Sequence, residues 1–325
     1  MDNNTLRKPI IIFIYLFSLF ICSNLFAQNK EKDKEKKDTT ILNDNPPTAK
    51  DTTTHNHYGD RLEDDPFYER KYPLWKPAIE VVGANAFIFA IDRYLFKYDF
   101  STTVSIESWK RNHREGWEWD TDRFGINFIG HPYSGTLYYN AARSNGYSYF
   151  ESIPFAIAGS LMWEYYGENT RPSYNDIINT PVNGSFLGEI QYRISSNILD
   201  DHKRGSERVF REIAAGIIDP MRGINRLLQG KSRRITRDTI YQKDLLNVTI
   251  FGGTRKVNED KKFWSGTSNP IFNIHVDYGN PFEARVRKPF DYFKLRMEFN
   301  FNLDRKILDN IVGYAILSGK NVYTL

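Results

Sequence analysis

The chain has 325 residues, a formal net charge of +4 and a single cysteine. That length provides enough apolar material for one large domain or two ordinary ones, and the small, dispersed charge argues against a dedicated nucleic-acid-binding protein. Aromatic residues make up 15% of the chain, including 20 Tyr and 23 Phe. Such enrichment is typical of membrane interfaces and of large protein interfaces.

Residues 1–27 are predicted to form a cleaved secretory signal peptide. Arg7 and Lys8 make a short basic region, an apolar run follows, and Ala27 marks a cleavage point. The alternative is an N-terminal anchor, but the apolar run is shorter than the roughly 20 residues that a spanning helix needs. Cys22 is the only cysteine and lies in this segment, so the exported chain is expected to contain no disulfide.

Residues 28–65 are predicted to be a disordered linker. Their sequence combines dense charge with Thr, Asn and Pro and contains few apolar residues. A segment of this composition cannot bury enough apolar surface to offset the conformational entropy lost on folding.

Residues 66–235 are predicted to form a helical block with one or more strands. Apolar residues follow Pro77 at helical spacing, which predicts a helix from that position. Between Trp117 and Ile129, aromatic and aliphatic residues favour a strand instead. From residue 133 to residue 230 the pattern is again helical.

Three helix starts are predicted within this block. Ser173 and Asp176 have the spacing of a capping box. Thr180-Pro181 and Asp219-Pro220 each place a capping residue directly before a proline, which is favoured at the first helical position.

Two pairs of small residues lie four positions apart in the predicted helices. They are Ala156 with Ser160, and Gly184 with Gly188. Small residues at this spacing allow helix backbones to approach closely, although the spacing also occurs by chance.

Residues 240–325 are predicted to form antiparallel strands. In Ile271–Tyr278 and Phe293–Asn302, apolar residues alternate with polar or charged ones, so each strand has one apolar face and one polar face. Leu245–Thr254 and Ile307–Leu317 are less regular candidates of similar length. The second of the two regular strands is about ten residues long, which is the length of a membrane-spanning β-strand.

The predicted fold class is α+β: an antiparallel transmembrane β-barrel, incomplete in this chain, with an associated helical block. An exported chain with long strands and an aromatic-rich apolar face favours lipid contact over the alternative, a periplasmic sheet with one wet face. The sequence shows about five candidate strands, fewer than the roughly eight of single-chain barrels. Truncation is the preferred explanation, with helices completing the wall or several chains sharing one barrel as alternatives.

Charged residues within the apolar helical segments are the candidates for function, since they are costly there unless paired or used. Glu164 and Glu168 are four apart and would share a helix face, where two like charges repel unless a cation or proton lies between them. Together with His131, at a predicted strand–helix junction, they are the candidate catalytic residues and the weak candidate metal ligands. No known metal motif contains them, and no cofactor is predicted.

The other charged residues are predicted to form a structural polar network. Glu189 and Arg193 are an i, i+4 pair in the favourable order, and Asp176 is expected to act as a helix cap. Arg143 is expected to pair with Glu151, with binding of an anionic lipid head group as the alternative. Arg171 is placed to neutralise one of the two candidate glutamates.

Three stretches resemble a family known as domain of unknown function 3943, which is found in uncharacterised envelope proteins of Gram-negative bacteria. They are GHPYSGTLYYNAARSNG, GSLMWEYYGENTRPSYND and LGEIQYRIS. The resemblance covers about a fifth of the chain and implies an outer-membrane barrel with a helical block. It implies no activity and no catalytic residues.

The preferred functional hypothesis is an outer-membrane protein with a structural or transport-related role, its helices plugging or flanking a barrel. The expected partners are outer-membrane lipid and other envelope proteins, and no nucleic acid is expected. One alternative is a membrane-associated enzyme that modifies envelope lipid or glycan. The other is a periplasm-facing binding module.

Overall fold

The computed structural model describes residues 71–121, 125–235, 244–257, 266–280, 288–300 and 308–317. The chain divides into two compact units, Met1–Gln242 and Lys243–Leu325. The predicted signal peptide and the predicted linker lie outside the described residues. Among the helices that the structure describes, none is both long enough and apolar enough to cross a membrane.

The described part of the first unit is helical. Its α-helices are α1 Trp75–Ala90, α2 Asp99–Thr102, α3 Ile106–Glu115, α4 His131–Arg143, α5 Tyr149–Met162, α6 Tyr174–Ile198, α7 Gly205–Ile218 and α8 Pro220–Leu228. Three π-helical segments, Ile91–Phe96, Ile126–Gly130 and Trp163–Gly167, adjoin α1, α4 and α5, and a 3-10 turn, Lys231–Arg233, follows α8. The hydrophobic core of this unit lies between α1, α4, α5 and α8, with the rings of Tyr138 and Tyr139 fully buried at its centre.

Helices α4 and α6 are the closest pair in the unit. A Cβ atom on Gly135 would lie 2.0 Å from the carbonyl oxygen of Thr180, and one on Gly184 would lie 2.5 Å from the backbone of Gly135. Because a real Cβ atom cannot come that close, these two glycines allow direct backbone contact between the helices. Gly188 faces the ring of Tyr139 one turn further on. The contacts advance in the same direction along both helices, so α4 and α6 run side by side in parallel.

The predicted strand between Trp117 and Ile129 is wrong. Among the residues of this stretch that the structure describes, only Glu118 makes a β-bridge, an isolated parallel one to Ser173, and residues 125–130 are helical. The backbone N–H of His131 bonds to the carbonyl of Ile126, five residues back. Pro132 has no N–H to continue the ordinary pattern of bonds four residues back, so a π-helical turn replaces the predicted strand end.

The predicted helix start at Thr180-Pro181 is also wrong, because both residues lie inside α6. The start at Asp219-Pro220 is correct: the Asp219 side chain accepts a hydrogen bond from the N–H of Arg222, and Pro220 is the first residue of α8. An internal proline costs a helix about 3 kcal/mol. The close packing of α6 against α4 offsets that cost.

The described part of the second unit is an antiparallel sheet with strand order β1-β2-β3-β4. Its strands are β1 Leu246–Val257, β2 Thr267–Tyr278, β3 Phe293–Asn300 and β4 Leu308–Ala315. All four correspond to predicted strands. The predicted end of the third at Asn302 lies outside the described residues. Within the described strands the sheet is open, with β1 and β4 at its edges.

The strand register places most of the apolar residues of the four strands on one face. Val248 pairs with Val276, which pairs with Leu295, and Leu295 pairs with Gly313. The opposite face is mainly polar, although it also carries Phe251 and Tyr314. There Arg296 Nη1 lies 3.1 Å from His275 Nδ1, and Lys294 forms an ion pair with Asp277 at 3.3 Å.

Candidate functional site

His131, Glu164 and Asp176 form a buried cluster at one end of the α4–α6 pair. One ligand atom from each residue lies within 4.8 Å of those from the other two, and each residue is at most 6% exposed. Three separate elements supply them: the start of α4, the π-helical turn after α5, and the first turn of α6. Two of the three residues therefore adjoin π-helical turns, which are common at functional sites.

His131 is held between α4 and α6. Its Nδ1 atom lies 3.2 Å from Thr180 Oγ1, and its Nε2 atom lies 3.6 Å from Asp176 Oδ1. The first distance is a hydrogen bond and the second is too long for one. If Nδ1 carries the proton and donates it to Thr180, the lone pair of Nε2 points toward the carboxylates.

Glu164 is fixed through only one of its two carboxylate oxygens. The backbone N–H of Ser173 donates to Glu164 Oε2 at 2.8 Å. The other oxygen, Oε1, is buried and accepts no hydrogen bond from any residue that the structure describes. A buried carboxylate oxygen in that condition is costly.

The hydrogen bond from the Ser173 N–H to Glu164 leaves the Asp176 side chain free of its capping role. Ser173 Oγ accepts from the N–H of Asp176, as the predicted capping box requires. In a full box the Asp176 side chain would bond in return to the N–H of Ser173, but Glu164 occupies that donor. The Asp176 carboxylate is therefore directed toward His131 instead.

Asp120 lies beside the cluster because of the short bridge between Glu118 and Ser173. The side chain of Asn175 donates to Asp120 Oδ1 at 2.6 Å and also to Asp176 Oδ1 at 3.3 Å. Asn175 thus holds the two aspartates close together, and a fourth ionisable group adjoins the cluster.

The electrostatic environment of the cluster is acidic. Burial, and next the neighbouring Glu168, raise the pKa of Glu164 well above its ordinary value. Burial and the adjacent Asp120 carboxyl raise the pKa of Asp176 to about 8. Burial lowers the pKa of His131 to about 4, although the charge of Asp120 acts in the opposite direction. All three shifts reflect groups that are kept from their ordinary charged forms.

Glu168, the third sequence candidate, does not join this cluster of ligand atoms. The π-helical turn ends at Gly167 and the backbone of Glu168 is extended, so the i, i+4 relation to Glu164 is lost. Its carboxylate accepts hydrogen bonds from Trp163 Nε1 at 2.6 Å and from Thr170 Oγ1 at 2.9 Å. Arg171 neutralises neither glutamate, because it pairs with Glu118.

A second buried carboxylate, Glu189, lies further along the same two helices. It accepts hydrogen bonds from Tyr139 Oη at 2.6 Å, Arg143 Nε at 2.8 Å and Arg193 Nε at 2.9 Å. Burial alone would raise its pKa, but the two arginines outweigh burial and hold the pKa at about 2.

The predicted pairing of Arg143 with Glu151 is wrong, because Arg143 pairs with Glu189. Glu151 instead caps α5 with Ser148 and pairs with Lys71.

Sequence reasoning missed Asp120 and assigned Asp176 only a capping role. A usable signal was present, because Asp120 and Asp176 each lie near predicted element ends where the chain changes direction. What the sequence did not contain was the contact between Ser173 and Glu164 that turns Asp176 toward His131.

Comparison with known proteins gives one match. No curated protein and no solved structure matches the chain significantly. Residues 116–221 match the family described as Domain of unknown function (DUF3943). This range contains every member of the buried cluster and the whole of α4, α5, α6 and α7. The chain therefore carries a domain of the DUF3943 family, as its sequence motifs predicted.

Proposed function

We propose that this chain is an exported outer-membrane protein with a structural or transport-related role in the envelope. In this proposal the four described strands are part of a transmembrane β-barrel that carries the helical domain. Outer-membrane lipid is the expected partner, together with other envelope proteins. The proposal rests chiefly on the apolar sheet face.

That face has the character of a lipid-facing surface. It is continuous across the four paired strands. On the edge strands its side chains Val248, Ile250 and Ile311 are exposed, at 48%, 59% and 41%, whereas Val276 and Leu295 on the central strands are buried. Exposed aliphatic side chains that form a patch are unfavourable in water. The polar opposite face, with its ion pair between Lys294 and Asp277, fits the wet interior of a barrel.

A barrel of this kind needs more strands than the four described here, because bacterial single-chain barrels contain about eight or more. The proposal therefore requires more wall than the four described strands supply, with a longer chain, helices that complete the wall, or several chains that share one barrel as the possible sources. Gel migration tests this requirement. A barrel in the membrane fraction is expected to migrate faster before boiling than after it, and unchanged migration would contradict the proposal.

A matched pair of substitutions on β1 tests lipid contact directly. Ile250 and Thr249 are adjacent, both exposed, and on opposite faces of the sheet. A lysine on a lipid-facing surface costs about 2–4 kcal/mol near the bilayer midplane, so Ile250→Lys is expected to reduce the amount of protein in the outer membrane. Thr249→Lys is expected to leave it unchanged. Equal tolerance of both substitutions would indicate a water-exposed sheet instead.

The second candidate function is a membrane-associated enzyme that modifies envelope lipid or glycan. The observation that favours it is the buried cluster of His131, Glu164 and Asp176, because acid–base groups with displaced pKa values are characteristic of catalytic sites. Lipid and glycan profiles of a deletion strain, complemented with wild type or with Glu164→Gln, test this reading by mass spectrometry. Identical profiles in all strains would exclude it.

A further inference from the structure

We propose that His131, Glu164 and Asp176 together bind one divalent transition-metal ion, with Zn²⁺ or Mn²⁺ as the class of ion. This site is independent of the membrane role proposed above. The sequence had pointed to Glu168 as the third ligand, and the geometry replaces it with Asp176.

The donor set fits such an ion. One imidazole nitrogen and two carboxylate oxygens are ligands of Zn²⁺, and the same mixed set suits Mn²⁺. A calcium site would use oxygen ligands only. Three protein ligands also leave a coordination position open to water or substrate, which is the arrangement of catalytic rather than structural zinc.

The distances fit as well. Ligand atoms bound to one ion at about 2.0–2.2 Å are separated from each other by about 3–4 Å. His131 Nε2 and Asp176 Oδ1 already lie 3.6 Å apart. The largest separation among the three ligand atoms is at most 4.8 Å, so a shift of less than about 1 Å in one side chain would complete the set.

The unpartnered oxygen of Glu164 is an independent sign that something is bound. Glu164 is 2% exposed, and its Oε1 atom accepts no hydrogen bond within the described ranges of the chain. A protein seldom leaves a buried carboxylate oxygen in that condition. A cation at the cluster would satisfy it.

The charge balance points the same way. Acidic side chains gather at the cluster, because Asp176 lies beside Glu164 and Asn175 holds Asp120 close to Asp176. Buried like charges require a counter-charge or a proton, and a divalent ion supplies two positive charges at once. The surroundings also resemble those of known metal ligands, because Thr180 Oγ1 contacts the far nitrogen of His131 and thereby orients the ring.

The test is metal analysis of the full-length protein purified from membranes without chelator. We expect about one equivalent of zinc or manganese per chain by plasma mass spectrometry. After chelation, adding back Zn²⁺ or Mn²⁺ is expected to raise the melting temperature, because a ligand that binds only the folded state stabilises it. The absence of both bound metal and a melting shift with either ion would overturn the proposal.

Variants assign the ligands. Glu164→Gln and Asp176→Asn keep the shape of each side chain and are expected to weaken metal binding by at least about 100-fold. Glu168→Gln is the matched control, because its carboxylate lies nearby but outside the ligand set, and it is expected to bind metal like wild type. Binding by Asp176→Asn equal to that of wild type, or an equal loss in Glu168→Gln, would contradict the assignment.

A milder substitution keeps the proposal testable if the proteins with substituted ligands do not fold. Thr180→Val removes the hydroxyl that contacts His131 Nδ1 but keeps the size and branching of the side chain. We expect metal affinity to fall by roughly 10- to 100-fold, while the apo protein melts near the wild-type temperature. Unchanged affinity in this variant would exclude His131 as a ligand held in the way described.

Discussion

Two buried carboxylates that lie beside the α4–α6 pair meet opposite conditions. Glu189 lies between Arg143 and Arg193 and receives a hydrogen bond from Tyr139. Glu164 lies among other carboxylates, with one oxygen unpartnered among the described residues. Burial is nearly complete at both positions, so burial alone does not distinguish them. The neighbouring charges distinguish them. The arginines of the protein balance the charge of Glu189, whereas the site of Glu164 requires a bound cation.

The close packing of Gly135 against Gly184 lies between these two sites. His131 and Thr180 are about one turn before the glycines, and Tyr139 and Gly188 are about one turn after them. Glu189 is part of α6 and Glu164 accepts a hydrogen bond from Ser173 at the start of α6, so both carboxylates lie beside the same helix pair. Predictions that separate the two sites test whether one is structural and the other functional.

The largest effect is expected for Glu189→Gln. The substitution leaves Arg143 and Arg193 buried without their carboxylate, and breaking a buried ion pair typically costs about 3–5 kcal/mol. Chemical denaturation would measure the change in unfolding free energy. Glu207→Gln is the control: Glu207 pairs with Arg211 on the surface, so its loss is expected to have little effect. A loss below about 1 kcal/mol for Glu189→Gln would show that the arginines find other partners.

The pH dependence of that loss is the next largest effect. Because the pKa of Glu189 is about 2 in the folded protein and 4.5 ordinarily, its ionised form stabilises the fold above pH 4.5 by about 3 kcal/mol. This contribution is lost as the pH falls toward 2. The difference in stability between wild type and Glu189→Gln is therefore expected to be constant near neutral pH and to shrink below pH 4.5. If the stability difference between wild type and Glu189→Gln grew as the pH fell, the predicted direction of the pH dependence would be wrong.

Gly135→Ala is expected to destabilise the protein by about 1–3 kcal/mol or more, because the added Cβ would collide with the Thr180 carbonyl. Gly83→Ala in α1 is the matched control, since nothing lies within 4 Å of its added Cβ and alanine favours helix. Thermal melts of both variants would measure the contrast. Equal melting temperatures would mean that α4 and α6 can separate without loss.

Features of the fold that depend on residues close together in sequence could be predicted, whereas contacts between distant segments could not. The pair of Glu189 with Arg193 and the cap at Asp219 follow from local spacing. Two of the four strands follow from alternating polarity, and the other two were less regular candidates of similar length. The spacing of Gly184 and Gly188 also pointed to close helix packing. Its partner Gly135 was not identified, because the position of that contact depends on another helix.

The candidate site was predicted only in part, for a physical reason. His131 and Glu164 were identified as charged residues in apolar helices, but Glu168 was included on the assumption of a continuous α-helix. The π-helical turn ending at Gly167 removes that relation. Asp176 was assigned to a capping box, and only the tertiary hydrogen bond from Ser173 to Glu164 releases it for another role.

The smallest expected change in stability is that of Glu164→Gln, and it is opposite in sign to that of Glu189→Gln. It therefore tests the difference between the two carboxylate sites most directly. In metal-free buffer near neutral pH, Glu164→Gln is expected to leave stability unchanged or to raise it by about 1 kcal/mol, because burial among other carboxylates disfavours the charged form of Glu164 and glutamine carries no charge. The side-chain oxygen of glutamine can still accept the hydrogen bond from Ser173. Melting temperatures of the chelated proteins would measure this, with Glu189→Gln run in parallel. If Glu164→Gln were as destabilising as Glu189→Gln, Glu164 would be a structural partner like Glu189. The two carboxylates would then not differ in whether residues of the protein balance their charge.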